Sequence, residues 1–312
     1  MKRSSVHIGN TKSAAIPAIE AWSFAEMMKV FTDLTKFRIT ALVSFTTGLG
    51  YILAANELSF TMFYVIAGIF LLAAASSSLN HWQEQKTDAL MERTKLRPIP
   101  SGRIEPASAV YVSLGLLISG SVMLLAATNF TTFAVGLFTF FWYNGVYTPL
   151  KRKTAFAIIP GALVGALPPV AGWTAAGGSL LDSRIWMIAA YFFIWQIPHF
   201  WLLLMLYGSD YEKGGFPTLN KIFGHEQLKR ITSMWLVGNV MTAMMIPLFI
   251  QLNYLSGFLL LCVISVWMLA VTFRFLRSQA ERKDIRNTFI AINFFTLLLI
   301  TILSIDKLIK VF

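Results

Sequence analysis

The stretch that decides the fold is the apolar run "MFYVIAGIFLLAAASSSL" at residues 62–79, which is followed directly by "NHWQEQKTDALMERTKLRPIPSG" at residues 80–102. A helix needs about 20 apolar residues to cross the roughly 30 Å hydrocarbon core of a bilayer. The apolar run meets that need, whereas the charged segment after it belongs at a membrane surface. The pair therefore predicts a membrane-spanning helix that ends in a dense polar cluster.

The whole chain repeats this apolar character. Of its 312 residues, 56% are hydrophobic and 13% are charged, about half the charged share of an ordinary soluble domain. The apolar runs predict nine spans, at residues 39–56, 60–80, 107–127, 130–147, 155–175, 185–207, 231–252, 254–275 and 287–305. We therefore predict an all-α, polytopic membrane protein with nine transmembrane helices in one bundle.

The basic residues indicate how the bundle is oriented. With the N-terminus inside, 23 of the 26 Lys and Arg residues fall in inner segments. Because positive residues favour the cytoplasmic side, we expect a cytoplasmic N-terminus, polar loops on the cytoplasmic side and an outer C-terminus. The net charge of +11 is explained by this topology, so we expect no nucleic-acid partner. The lone cysteine excludes a disulfide within the chain.

The N-terminal region is expected to differ from the rest. Residues 1–38 are predicted to form a cytoplasmic tail with an amphipathic helix at 17–36 lying on the lipid bilayer, and residues 39–312 to form a single nine-helix domain. The first 16 residues lack the apolar core of a secretory signal. They are also shorter and poorer in Arg than a typical mitochondrial presequence, which favours a bacterial plasma (inner) membrane over a mitochondrial inner membrane.

The polar segment after the second span carries a specific pattern. Asn80, Glu84 and Asp88 are spaced i, i+4, i+8, so they share one helical stripe. Their oxygens suit Mg²⁺, which proteins often bind through one or two carboxylates together with substrate phosphates. Arg93 and Arg97 follow at i, i+4. A guanidinium group can bind phosphate through two parallel N–H···O hydrogen bonds. The pattern indicates a diphosphate site; the plainer alternative is a solvated interfacial helix with Glu–Lys pairs.

The same segment resembles the signature of the UbiA-type intramembrane prenyltransferases. The matching positions are Asn80, Glu84, Asp88, Met91, Arg93, Thr94, Arg97 and Gly102. In that family the motif binds a polyprenyl diphosphate through Mg²⁺. The resemblance thus implies that Asn80, Glu84 and Asp88 are catalytic metal ligands and that Arg93 and Arg97 bind the substrate. It covers nearly the whole chain after residue 30.

A second basic cluster lies in "YNGVYTPLKRKT" at 143–154. Three bases at an inner helix end can serve as a topology signal and contact lipid headgroups. The string also resembles the family's tyrosine, proline and Lys-Arg signature. That resemblance makes Lys151 and Arg152 candidate contacts to the diphosphate.

The third polar segment is "WQIPHFWLLLMLYGSDYEKGGFP" at 195–217. Gln196 and His199 lie inside an apolar span and face one way, and Asp210 and Tyr211 follow at its inner end. Most family members that prenylate aromatic rings carry a second Asp-x3-Asp motif here, which this chain lacks. The segment is instead similar to the branch that transfers farnesyl from farnesyl diphosphate to haem B. The resemblance implies that His199 is catalytic, either by ligating iron or by handling a proton, and that Gln196, Asp210 and Tyr211 bind substrate.

Two other functions stay open at this level. One is prenylation of an aromatic quinone precursor such as 4-hydroxybenzoate, which the missing second Asp motif disfavours. The other is membrane transport, which predicts charges in mid-span rather than at helix ends. The resemblance also leaves open whether a haem A synthase or a cytochrome oxidase assembly factor is a physical partner.

Overall fold

A computed structural model describes residues 23–309, and within that range all regular secondary structure is helical and no β-strand occurs. The α-helices are α1 (Phe24–Leu34), α2 (Phe37–Ala55), α3 (Phe60–Asp88), α4 (Pro106–Ala127), α5 (Phe130–Phe141), α6 (Thr148–Leu150), α7 (Ile158–Ala175), α8 (Ser183–Lys213), α9 (His225–Phe249), α10 (Leu255–Arg277) and α11 (Arg282–Leu308). The predicted all-α membrane fold is confirmed.

The number of spans needs one qualification. Eight helical segments of the described part of the chain are long and apolar enough to cross a membrane. The remaining predicted span, 130–147, is helical along its length, but α5 ends at Phe141 and continues as a π-helix over Trp142–Tyr147. Its uninterrupted α-helical part has 12 residues, or about 18 Å, which is too short to cross alone.

A short helix, α1, precedes the first span. Ser23 and Glu26 form a capping box at the start of α1. Val30 and Leu34 are buried against the bundle, whereas Phe24 is exposed. The predicted helix at 17–36 is therefore present over Phe24–Leu34, and residues 17–22 lie outside the described part.

Close contact between α2 and α7 forms the centre of the bundle. A Cβ atom on Gly50 would lie 1.9 Å from the carbonyl oxygen of Pro169, and one on Gly172 would lie 1.8 Å from that of Thr47. Small residues permit helices to approach this closely in membranes. The contact places α7 beside α2, with α3 and α8 packed around them.

Two helices extend beyond their predicted spans. α3 continues past 60–80 to Asp88, and α8 continues past 185–207 to Lys213. Their polar C-terminal turns come together at one end of the bundle, which we call the polar end. The candidate site lies there.

Candidate active site

The stripe predicted from the sequence exists and is buried. Because α3 remains helical to Asp88, the side chains of Asn80, Glu84 and Asp88 follow one face of its last turns. Their exposed fractions are 1%, 5% and 0%. Buried ionisable groups need partners, since an unpaired charge in a low-dielectric interior is costly. A solvated interfacial helix, the plainer interpretation of this segment, is excluded by this burial.

Each carboxylate of the stripe pairs with a base from another segment. Lys151 Nζ lies 2.6 Å from Glu84 Oε1. Arg97 Nη1 donates to both oxygens of Asp88, at 2.8 and 2.7 Å. Lys151 and Arg97 are mostly buried as well, so both pairs are shielded from water. The polar end therefore contains two buried pairs of opposite charge, Glu84 with Lys151 and Asp88 with Arg97.

The third member of the stripe is held by a residue that sequence analysis did not single out. Lys36 Nζ donates to Asn80 Oδ1 at 2.9 Å, and Asn80 Nδ2 donates to Thr148 Oγ1 at 3.3 Å. Lys36 thus completes a set of three bases facing the three oxygen donors. Its only signal in the sequence is its position just before the first span.

The backbone at Lys36 explains how its side chain reaches the site. Lys36 has φ 48° and ψ 48°, the left-handed conformation that is rare for a residue with a side chain. It forms the corner between α1 and α2, and Ser77 of α3 donates to the carbonyl of the preceding Leu34 at 3.0 Å. This corner turns the ammonium group toward α3. Burial, followed by the positive charge of Arg97, lowers the pKa of Lys36 to about 7.

The π-helical turn before α6 presents the second basic cluster. Lys151 Nζ lies 5.0 Å from the centre of the Tyr147 ring, as well as beside Glu84. Burial opposes the charge on Lys151, but the Glu84 carboxylate outweighs it and raises the pKa of Lys151. Arg152 instead donates to the backbone carbonyl of Gln83. Both predicted basic residues thus contact the polar turns of α3.

The end of α8 supports the loop that follows α3. Asp210 accepts hydrogen bonds from the backbone N–H groups of Glu92 and Arg93, at 2.7 and 3.1 Å. The Arg93 side chain donates to the Tyr211 hydroxyl at 3.2 Å. Asp210 and Tyr211 therefore contact Arg93, whereas Gln196 and His199 lie earlier in α8, in its membrane-spanning part.

The middle of α8 holds several buried polar atoms without partners. Among the described residues, none forms a hydrogen bond with Trp195 Nε1, Gln196 Oε1 or His199 Nδ1. The His199 ring lies between Trp195 and Phe289, with ring centres 4.6 and 4.7 Å away. Unsatisfied buried polar groups are few in native proteins and often mark ligand or catalytic sites.

An apolar cavity of about 130 Å³ lies between α2, α3, α5 and α7. Lys36 and Tyr143 line it near the polar end, and Ile69, Gly136 and Ala171 line it deeper in the bundle. The cavity therefore has one basic residue, Lys36, at one end and mostly apolar walls beyond it. A molecule with an anionic head and a hydrocarbon tail matches both parts.

The chemistry of the α3 stripe fits a hard divalent cation. Two carboxylates and one amide supply oxygen atoms only, the ligand type that Mg²⁺ prefers. Within residues 23–309, no three His, Cys, Asp or Glu side chains converge into a ready metal site. The stripe can therefore supply part of a coordination shell, and a phosphate-bearing ligand would have to supply more of it.

A membrane-spanning helical bundle with a buried, charged cluster next to an apolar cavity is suited to an amphiphile with an anionic head. The comparisons with known proteins make this description more specific. The model of the UbiA prenyltransferase family matches residues 42–298. The chain belongs to the UbiA prenyltransferase family.

Individual relatives and structures agree with this assignment. The chain is 32% identical to a protoheme IX farnesyltransferase of Oleidesulfovibrio alaskensis, over 91% of this chain and 98% of the relative. It is 35% identical to a protoheme IX farnesyltransferase of Bdellovibrio bacteriovorus, over 90% and 97%. The fold matches a UbiA homologue from Archaeoglobus fulgidus bound to GPP and Mg²⁺, with a TM-score of 0.64, 18% identity and coverage of 89% and 99%.

Proposed function

We propose that this chain transfers the farnesyl group of farnesyl diphosphate to the 2-vinyl group of haem B (protohaem IX), with addition of water, to give haem O and diphosphate. The observation that carries the proposal is the buried α3 stripe, in which each oxygen donor faces a base and one of these bases, Lys36, lines an apolar cavity. The names of the relatives from O. alaskensis and B. bacteriovorus support a farnesyl group as the part transferred and protoheme IX as the acceptor.

The charges of the site match a diphosphate head. Without ligand, Glu84 and Asp88 neutralise Lys151 and Arg97, and Lys36 is held by the uncharged amide of Asn80. An arriving diphosphate offers these bases a stronger anionic partner. In this proposal Lys36, Lys151 and Arg97 turn toward the phosphate oxygens, and charge-assisted hydrogen bonds hold them there.

The oxygens released by that exchange would hold a metal ion. Asn80, Glu84 and Asp88 are the residues that would bind Mg²⁺, and a UbiA homologue from A. fulgidus was solved with GPP and Mg²⁺. Bound there, Mg²⁺ supplies positive charge to the leaving diphosphate. Arg93 and Arg152 lie close to the same turns of α3 and its loop, and we assign them to the outer side of the diphosphate.

The apolar cavity would receive the farnesyl tail. Along α3, the rise from Asn80 to Ile69 is about 16 Å, which is comparable with the length of an extended farnesyl chain. The cavity walls are apolar, so the tail would exchange lipid for protein at little cost. The diphosphate would then remain at Lys36, with C1 of the farnesyl group just inside the entrance.

We assign the acceptor to the α8 side of the site. His199, Trp195 and Phe289 offer aromatic surface, and His199 Nδ1 is free of partners within the described residues. A flat macrocycle can stack on such surface, and imidazole suits iron. His199 would thus contact haem B, either at the iron or as the group that accepts a proton.

The proposed reaction begins with stabilisation of the charge on the leaving diphosphate. The C1–O bond breaks, its electron pair leaves with the diphosphate, and Lys36, Lys151 and Arg97 stabilise the negative charge that develops. The π electrons of the 2-vinyl group bond to the allylic cation at C1. The new cation lies beside the porphyrin ring, and water adds to it with loss of a proton. The apolar walls of the cavity would exclude water from the first cation.

The protein is an integral membrane protein, and its bacterial relatives favour a bacterial inner membrane. We propose that the polar end faces the cytoplasm, with a cytoplasmic N-terminus and an outer C-terminus, because the basic residues concentrate there. We further propose that residues 39–312 act as a single domain, with α1 on the membrane surface. No protein partner, such as haem A synthase, is indicated by the described residues.

The proposal can be tested by pigment analysis. The chain is expressed in a bacterial strain that lacks its own haem O synthase, and extracted haems are identified by mass spectrometry beside an Asp88→Ala control. Haem O from the wild type alone is the expected result. Haem B alone from well-expressed wild type would contradict the proposed acceptor, and prenylated 4-hydroxybenzoate from the same membranes would indicate the aromatic alternative.

A further inference from the structure

The turn of α8 from Trp195 to His199 is unusually rich in polar atoms that lack partners. Trp195 Nε1, Gln196 Oε1 and His199 Nδ1 are all buried without a hydrogen bond to any described residue. Pro198 lies inside the helix and has no N–H group, so the carbonyl of Ile194 also loses its intrahelical donor. One helical turn thus carries three buried side-chain atoms without a hydrogen bond to a described residue, together with a backbone carbonyl that has lost its intrahelical donor.

The side chain of Gln196 has a defined packing position against α7. Its carboxamide lies against Gly165 of α7, where a Cβ atom would lie 1.9 Å from Gln196 Oε1 and 2.8 Å from its Cδ. Only glycine leaves room for the amide in this position. The neighbouring α7 residue Val164 lines the apolar cavity. The amide is therefore held between α7 and α8, close to the wall of the cavity that would contain the farnesyl tail.

A buried amide oxygen without a hydrogen-bond donor among the described residues points to a bound ligand in this membrane-embedded bundle. Buried waters typically make two to four hydrogen bonds to polar groups that lack other partners. Gln196 Oε1 and His199 Nδ1, three residues apart on α8, are two acceptors, and the two O–H groups of one water molecule can donate to both. An apolar acceptor surface alone would need none of them. Their shared chemistry is that of a single water molecule.

We propose that Gln196 binds and orients the water molecule that captures the second carbocation, and that His199 Nδ1 accepts its proton. This inference rests on the proposed farnesyl transfer to haem B. The water oxygen donates an electron pair to the cationic carbon beside the porphyrin ring, forming the C–O bond of the hydroxyl group. One water proton passes to His199. The product therefore contains the haem, the farnesyl group and the hydroxyl group of the water, and the remaining proton is on His199. No oxidant or reductant is consumed.

The proposal predicts two alternative products from the second carbocation. If water is not in place, the same cation can lose a proton from the neighbouring carbon and form an alkene. That product is lighter than haem O by one water molecule. The ratio of hydroxylated to dehydrated farnesyl haem therefore reports the positioning of water, and it does not depend on how much enzyme is present.

Two substitutions test it from opposite sides of the interface. Gln196→Leu removes the amide and keeps a similar volume, whereas Gly165→Ala leaves Gln196 in the chain but displaces its carboxamide. Gly115→Ala is the matched control, because a Cβ on Gly115 meets nothing within 4 Å. Each variant is expressed in the strain lacking haem O synthase, and both products are quantified in the same extract by mass spectrometry.

We expect both test variants to lower the ratio of hydroxylated to dehydrated product by about fivefold or more, the effect of losing one hydrogen bond to the reacting water. Gly115→Ala should leave it unchanged. An unchanged ratio in both variants, or an equal loss of both products, would overturn the role of Gln196. Failure of the wild type to make any farnesylated haem would overturn the proposed function instead, so the two failures are distinguishable.

Discussion

Asp88 and Arg97 form an ion pair in which one guanidinium nitrogen, Nη1, lies within 2.8 Å of both carboxylate oxygens. Asp88 is fully buried at the end of α3, and Arg97 lies in the loop that follows. Thr94 donates to the backbone carbonyl of Asp88 at 2.9 Å and ties the same loop to the helix. The ion pair therefore stabilises the junction between α3 and the loop that follows it.

This relationship predicts an asymmetry between stability and activity. Arg97→Ala leaves a buried, uncompensated carboxylate and should lower the free energy of unfolding by about 3–5 kcal/mol. Asp88→Leu combined with Arg97→Met removes both charges and should recover much of that loss. Thermal unfolding in detergent measures the first effect, and the haem O assay should find both variants inactive. A stable single Arg97→Ala variant would contradict the structural role of the pair.

Substitution of Lys36 should separate backbone strain from chemistry. Lys36→Gly relieves the left-handed φ of 48°, whereas Lys36→Ala keeps the strain and also removes the ammonium group. We expect the Gly variant to be more stable than the Ala variant by about 1 kcal/mol. Both should lose haem O formation, with a raised KM for farnesyl diphosphate where activity remains. Equal stability of the two variants would argue against strain at this corner.

Close packing of α2 on α7 predicts that Gly50 tolerates no side chain. A Cβ there would lie 1.9 Å from a backbone carbonyl oxygen, which cannot move as a flexible side chain does. Gly50→Ala should destabilise the protein by about 1–3 kcal/mol or more through overpacking. The melting temperature in detergent checks this prediction. Gly115→Ala is the control, and its melting temperature should equal that of the wild type. A Gly50→Ala variant as stable as the wild type would mean that α2 and α7 are farther apart than the structure shows.

Sequence analysis found the α3 stripe because its members follow one helix. Spacings of four residues place Asn80, Glu84 and Asp88 on one face whatever the tertiary structure is. The burial of that face could be inferred from its position at the end of an apolar span. By contrast, the partners of the stripe come from distant segments, and no local spacing predicts which base meets which acid.

Lys36 and Asp210 illustrate this limit in two ways. Lys36 enters the site only because the chain adopts a left-handed conformation there, and nothing in a lysine side chain predicts that φ. Asp210 was predicted to bind substrate, and the structure engages both its oxygens with the backbone of Glu92 and Arg93. Its substrate contact stays a prediction. The π-helix that shortens α5 was likewise missed, because its sequence remains apolar and helical in periodicity.

The deep end of the apolar cavity leads to the final prediction, which concerns the donor's length. A Cβ on Gly136 would lie 2.7 Å from Leu72 Cδ1 and 3.2 Å from Ile69 Cδ1, so a larger residue there must fill the cavity. We expect Gly136→Val to raise KM for farnesyl diphosphate about tenfold relative to geranyl diphosphate, whose tail is one isoprene unit shorter and stops short of this level. Competition between the two donors in membranes, with haem B as acceptor, measures that ratio. Gly115→Ala is again the control, since it lies outside the cavity. A ratio of the two KM values unchanged from that of the wild type would contradict a farnesyl tail that reaches Gly136.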